Sequence, residues 1–206
     1  MFFRFDIDDG LASGACPLCF AVALDEERWL ESFWREGRTD ATTRRRFYDA
    51  GGFCQDHAWR LHELVAQSGK TFAIADVYGS LAGRDLAETG KGVPLRTSTC
   101  PACTARTEAL ERKAYYLLEL LATASGRERY ERSHGLCLPH LAEMVATAGK
   151  DDELARFLIA DWRRRLAEVR QRIDEPRAAS DAISLYVGER RPVSRTDATR
   201  RTGAGP

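Results

Sequence analysis

Six cysteines and two of the four histidines fall into four short knuckles. Cys16-Pro17-Leu18-Cys19 is followed, after 34 residues, by Cys54-Gln55-Asp56-His57, and Cys100-Pro101-Ala102-Cys103 is followed, after 33, by Cys137-Leu138-Pro139-His140. No cysteine lies outside this pattern. Three thiolates and one imidazole are the Cys3His set that tetrahedral Zn2+ takes in a closed structural site. The simplest assignment gives two Zn2+ sites, one from Cys16, Cys19, Cys54 and His57 and one from Cys100, Cys103, Cys137 and His140; the alternative pairing is an exchanged arrangement in which Cys16 and Cys19 meet Cys137 and His140, and the spacing leaves both open. An Fe–S cluster is the alternative, because three Cys and one His also hold iron.

Four protein ligands leave no position for a metal-bound water, which argues against catalysis by the metal. The chain contains no His-x-Glu of the zinc deaminases, no Gly-x-Gly-x-x-Gly, no P-loop and no Gly-x-Ser-x-Gly. Cys-Pro-x-Cys also occurs in thioredoxin-like oxidoreductases. Those need a βαβ pattern that neither half supplies, and they leave both Cys-x-x-His pairs unexplained. His62 and His134 read as ordinary core or surface residues.

Composition sets the frame. Hydrophobic residues at 44% and charged residues at 30% exclude the disordered and membrane classes, and a formal net charge of zero gives no pull toward nucleic acid or anionic lipid. No apolar run approaches the ~20 residues of a membrane span, and the first residues lack a signal peptide's order, so a cytoplasmic location is expected. In that compartment thiols stay reduced and serve as ligands or redox groups rather than disulfides.

The elements that must position the knuckles read as helices. Phe2 to Ile7 alternates in part, fitting a short strand or an extended arm. Phe20, Val22, Leu24, Trp29, Leu30, Phe33 and Trp34 then recur at threes and fours to near Gly37. A short Arg-rich helix over Thr42–Ala50 ends at Gly51-Gly52, a third helix runs to Gly69, and a fourth spans Phe72–Glu88. The order repeats after Cys103, with Tyr130 standing opposite Phe47. The fourth helix of the second half, Glu153–Ile173, carries an apolar stripe from Leu154 to Val169. Offsets of 84 from Cys16 to Cys100 and 83 from Cys54 to Cys137 indicate a tandem duplication. The expected fold is all-α: two pseudo-symmetric four-helix repeats, residues 1–89 and 100–188, each with its own Cys3His site. A linker at 90–99 joins them, and an Arg-rich disordered tail follows at 189–206. Ser180 is the expected N-cap of a last short helix. Each fourth helix needs a cover, which half-on-half packing into one domain would supply. Arg44–Arg46, or Arg127 and Arg129, are expected to offset the charge of the metal sites.

The four motifs in order, together with Asp174-Glu175-Pro176-Arg177-Ala178-Ala179-Ser180-Asp181-Ala182-Ile183-Ser184-Leu185-Tyr186-Val187-Gly188, resemble an uncharacterised prokaryotic family, domain of unknown function six-zero-six-two. The resemblance runs to about Gly188 and implies a helical protein with metal ligands at the eight positions, and no reaction. The leading functional reading is a non-enzymatic interaction or regulatory module with two structural zinc sites and an unidentified protein partner, as monomer or homodimer. The alternative is a redox-responsive or iron-sulfur protein using the same residues. A third and weakest reading is nucleic-acid binding, which rests on six Arg against three acidic residues from Arg177 to Pro206.

Overall fold

The computed structural model describes residues 3–69, 72–88, 98–149 and 153–188. Within them the chain forms ten α-helices and no strand. These are α1 (Phe3–Ala12), α2 (Pro17–Ser32), α3 (Ala41–Asp49), α4 (Gln55–Ala66), α5 (Phe72–Glu88), α6 (Pro101–Leu121), α7 (Ala124–Glu131), α8 (Leu138–Ala148), α9 (Glu153–Gln171) and α10 (Ala178–Val187). A π-helical turn at Phe33–Gly37 continues α2 and buries Phe33. Local signals account for the boundaries. Pro17 and Pro101 occupy the first positions of α2 and α6, where a missing N–H costs nothing. The Asp40 carboxylate accepts from Thr43 N–H at 2.8 Å to cap α3. The Thr123 hydroxyl accepts from Gly126 N–H at 3.1 Å to cap α7.

Two local expectations fail. The strand or extended arm near the N-terminus is the helix α1, because Ile7 and Leu11, four residues apart, bury one helical face. Ser180 does not cap α10; it lies inside the helix and its hydroxyl donates to the Arg177 carbonyl at 2.8 Å. Residues 90–97 of the expected linker, and the tail at 189–206, lie outside the described residues.

The chain divides into two compact units. One comprises residues up to Leu24 together with those from Ala109 onward; the other is Asp25–Glu108. The dividing points fall inside α2 and α6, so each of these helices gives residues to both units. The first unit has a core of Ile7, Leu11, Leu18, Leu117, Leu121, Tyr130, Leu136, Met144 and Leu158. The second is built on aromatic packing. Phe53 stands edge-on to Phe33 and Phe47 at centroid distances of 4.8 and 5.0 Å, and Tyr78 closes on Phe47 at 5.6 Å. Both fourth helices find cover inside their own units, and the core that covers the second of them includes Ile7, Leu11 and Leu18 from the first half of the sequence. Leu81 of α5 is buried, with Ile74, Val77 and Tyr78 against the aromatic cluster, and Leu154, Phe157 and Trp162 of α9 pack on the first core.

The first unit also buries an ion pair. Lys113 Nζ of α6 donates to Asp6 Oδ2 of α1 at 2.6 Å, and both side chains are shielded from solvent. Two opposite charges out of water contribute little net stability, whereas removing one strands the other. Lys113→Met alone is expected to destabilise the protein by about 3–5 kcal/mol, and adding Asp6→Leu should recover most of the loss. Chemical denaturation of both variants checks this; a double variant as unstable as the single one would contradict it.

Candidate metal centres

All eight candidate ligands occupy two kinds of position. Cys16, Cys54, Cys100 and Cys137 each stand just before a helix. Their carbonyls accept the first helical N–H, from Phe20 at 3.0, Ala58 at 2.9, Thr104 at 3.1 and Leu141 at 2.8 Å. Cys19, His57, Cys103 and His140 lie three residues further on, one turn into α2, α4, α6 and α8. Each knuckle thus turns two donors to the same face at a helix N-terminus, where free N–H groups and the positive end of the helix dipole favour thiolates.

The knuckles combine across the two halves of the sequence, not within each half. Cys16 and Cys19 meet Cys137 and His140, and Cys54 and His57 meet Cys100 and Cys103, with all donor atoms of each set within 4.8 Å of one another. The expected assignment of Cys16 and Cys19 to Cys54 and His57, and of Cys100 and Cys103 to Cys137 and His140, is therefore corrected. The pairing is nested: an outer set from the first and last knuckles encloses an inner set in sequence. Each set belongs to a single unit, the outer to the first and the inner to the second.

In the outer set His140 Nδ1 lies 3.4, 3.3 and 3.3 Å from the sulfurs of Cys16, Cys19 and Cys137, and the last two sulfurs are 3.7 Å apart. In the inner set His57 Nδ1 lies 3.0, 3.4 and 3.8 Å from Cys54, Cys103 and Cys100, with Cys54 and Cys103 3.7 Å apart. Such crowding perturbs the protons. Burial raises the Cys16 thiol, whereas hydrogen bonds from Cys137 and Cys16 hold Cys19 far below the ordinary thiol range. Burial also raises Cys100, but the His57 hydrogen bond and backbone N–H groups bring it down to about 6. Cys103 is pushed up to about 12 by burial and the charge on Cys100. Burial opposes charge on both imidazoles. Hydrogen bonds donated to Cys100, Glu26 and Cys54 nevertheless lift His57 to about 10, and those donated to Cys137 and Cys19 lift His140 to about 9. Both sets are charge-dense and poised to exchange protons for a cation.

Two different supports hold the Cys-x-x-His turns. Gly52 and Gly135, each two residues before the cysteine, have φ of +87° and +82°. A β-carbon on Gly52 would press on Leu81 and Tyr78, whereas one on Gly135 would overlap the Arg165 guanidinium. Arg165 donates to the carbonyls of Ser133 at 2.7, Glu131 at 3.1 and Tyr130 at 3.3 Å, closing the end of α7, and Asp161 anchors it at 2.6 Å. The Tyr130 hydroxyl accepts from Leu136 N–H at 3.3 Å, next to Cys137.

Sequence reasoning missed three groups. Gly188, which ends α10, lies against the outer set: a β-carbon there would fall 2.8 Å from Cys19 Sγ and 3.2 Å from Cys137 Sγ. Glu26 is buried behind His57, with Arg60 and Arg106 beside it. Its signal is its position on the apolar stripe of α2, four residues from both Val22 and Leu30. Arg165 carried no signal, since its partners are backbone carbonyls. The arginines expected near the sites act elsewhere: Arg127 pairs with Glu153, Arg129 with Asp8 and Arg45 with Asp49, while Arg44 lies over Tyr48. His134 meets the Ser184 hydroxyl at 2.7 Å, and His62 stands edge-on to Trp59; neither belongs to a donor set.

Comparison of the chain with protein-family models, with curated proteins and with solved structures gives no match.

Two outcomes follow from this geometry. Nested pairing requires that Cys54→Ser/Cys103→Ser remove one centre and leave one metal per chain, while Cys19→Ser/Cys54→Ser removes both. Pairing within halves would reverse the two results in elemental analysis. Gly188 has φ +81° and ψ −177°, a region only glycine enters at low cost. Gly188→Ala should therefore cost on the order of 1–3 kcal/mol and, if the outer set holds a metal, release that metal first in a chelator titration; unchanged release would contradict a role for the Gly188 contact.

Proposed function

We propose that the chain is a non-enzymatic interaction or regulatory module held together by two structural Zn2+ ions, one in each donor set. The observation that carries this reading is the compactness of both sets, whose four donor atoms all lie within 4.8 Å of one another. Zinc at ordinary bond lengths of about 2.3 Å to sulfur and about 2.05 Å to nitrogen gives tetrahedron edges of about 3.8 Å between sulfurs and about 3.5 Å from sulfur to nitrogen. The sulfur pairs at 3.7 Å and the sulfur–nitrogen separations of 3.0–3.8 Å fit these edges. A cluster would place several irons and sulfides between its ligands and spread them well beyond such distances, so a single ion is favoured. Four protein donors also leave no open position for water or substrate, which supports a structural rather than catalytic ion.

The interaction part of the reading draws on apolar surface. A groove of about 700 Å³ between α9 and α10 is lined by Leu166, Val169, Ile173, Ala182 and Tyr186, and Ile173 and Tyr186 are largely exposed. Among the described residues no helix is long and apolar enough to cross a membrane. The redox-responsive alternative draws on Cys54 and Cys103, half-buried thiols at the separation quoted above. A peroxide accepting two electrons could join them as a disulfide and expel the ion.

Protein purified without oxygen is expected to contain two zinc per chain and to be colourless. Stripping the zinc with a strong chelator should abolish cooperative thermal unfolding, since structural zinc binding contributes about 10–16 kcal/mol in small modules. A brown, iron-containing protein, or a metal-free chain with an unchanged melting curve, would overturn the proposal.

A further inference from the structure

We propose that Glu26 is the positioning residue of the inner centre, fixing His57 so that Nδ1 faces the three sulfurs. The inference rests on the zinc reading above and adds a role for a residue outside both donor sets. Glu26 Oε1 lies 3.5 Å from His57 Nε2, and the side chains are only 1% and 2% exposed. A neutral imidazole carries one proton. A carboxylate opposite Nε2 keeps that proton there and leaves the Nδ1 lone pair for the metal.

The surroundings explain how a buried carboxylate is tolerated at this place. Arg60 Nε stands 3.4 Å from Oε1 and Arg106 Nε 3.5 Å from Oε2. Three thiolates, a neutral imidazole and Zn2+ leave a net charge of about −1. The two guanidiniums balance that charge together with the charge of Glu26. Burying a carboxylate costs several kcal/mol even when it is paired, so a purely apolar residue would serve α2 better if packing were the only demand. The outer centre is built differently. Among the described residues no carboxylate pairs with His140, whose contacts are to the three sulfurs. Loss of Glu26 should therefore touch one centre only.

The test uses the full chain loaded with zinc, with a chromophoric chelator competing for the metal. In Glu26→Gln and Glu26→Ala one of the two ions should bind about 10–100-fold more weakly, and the other should keep its wild-type affinity. Running the same variants on a Cys16→Ser/Cys19→Ser background, where only the inner centre remains, identifies the weakened ion. Equal affinities in variant and wild type, or equal weakening of both ions, overturns the proposal. A wild-type chain that binds no zinc refutes the structural-zinc reading instead, which keeps the two failures apart. If the variants do not fold, long-range ¹H–¹⁵N spectra of the wild-type zinc protein decide the matter. His57 must show Nδ1 as the ligand nitrogen and a slowly exchanging Nε2 proton; coordination through Nε2, or a freely exchanging proton, overturns the assignment.

Discussion

The fold depends on bringing three thiol groups and an imidazole together inside protein, twice. Two like charges at about 4 Å repel by about 4 kcal/mol at the effective dielectric of a protein interior, a cost that the sulfurs 3.7 Å apart in each set would meet on both losing their protons. Helix N-termini relieve part of it, and all four knuckles begin helices. That relief is a few tenths to about 1 kcal/mol per helix, far short of what two buried sets require. The donor types of each set are those that a single cation would take, and such an ion would offset the remaining repulsion.

Nested pairing follows more naturally from chain geometry than it first suggests. The inner set joins residues 49 apart and the outer set residues 118 apart. Each doubling of a closed loop costs only about 0.6 kcal/mol, so the longer closure adds roughly 1 kcal/mol. Once Cys54 and Cys103 are held together, the chain between Cys19 and Cys137 is effectively shorter still. The outer set brings the first and last knuckles into one compact unit, a constraint that pairing within each half would not impose.

Much of this was legible in the sequence, though unevenly. The four knuckles were readable because spacing sets which two donors share a helical turn, a local matter, and the eight candidate ligands gather into two donor sets. Which knuckle meets which is not local: Cys16 and Cys19 are complete in ligand type with either His57 or His140, and residue types cannot choose between them. The helices were readable from periodicity, and α1 was misread because Phe3, Phe5 and Ile7 alternate, while the decisive spacing of Ile7 and Leu11 is one turn and the decisive partner, Lys113, lies far along the chain. Glu26 was readable in principle, as a charge on an apolar stripe, but Asp25 and Glu27 beside it hide which of the three is buried. Gly188 carried only the generic signal of a helix end.

The two Cys-x-x-His turns show what such a centre fixes and what it leaves free. Both place a left-handed glycine, an apolar residue and a cysteine in the same order before a helix, and both set a side chain of a later helix, α5 or α9, over that glycine. In one turn the cover is Leu81 with Tyr78, continuous with the aromatic cluster of Phe33, Phe47 and Phe53. In the other it is Arg165, which satisfies the last carbonyls of α7 and is anchored by Asp161. The same backbone conformation before the cysteine is thus held by dispersion in one turn and by hydrogen bonds in the other. The two imidazoles differ in the same way on the side that faces away from the sulfurs, where Glu26 stands behind His57 and, among the described residues, no carboxylate pairs with His140.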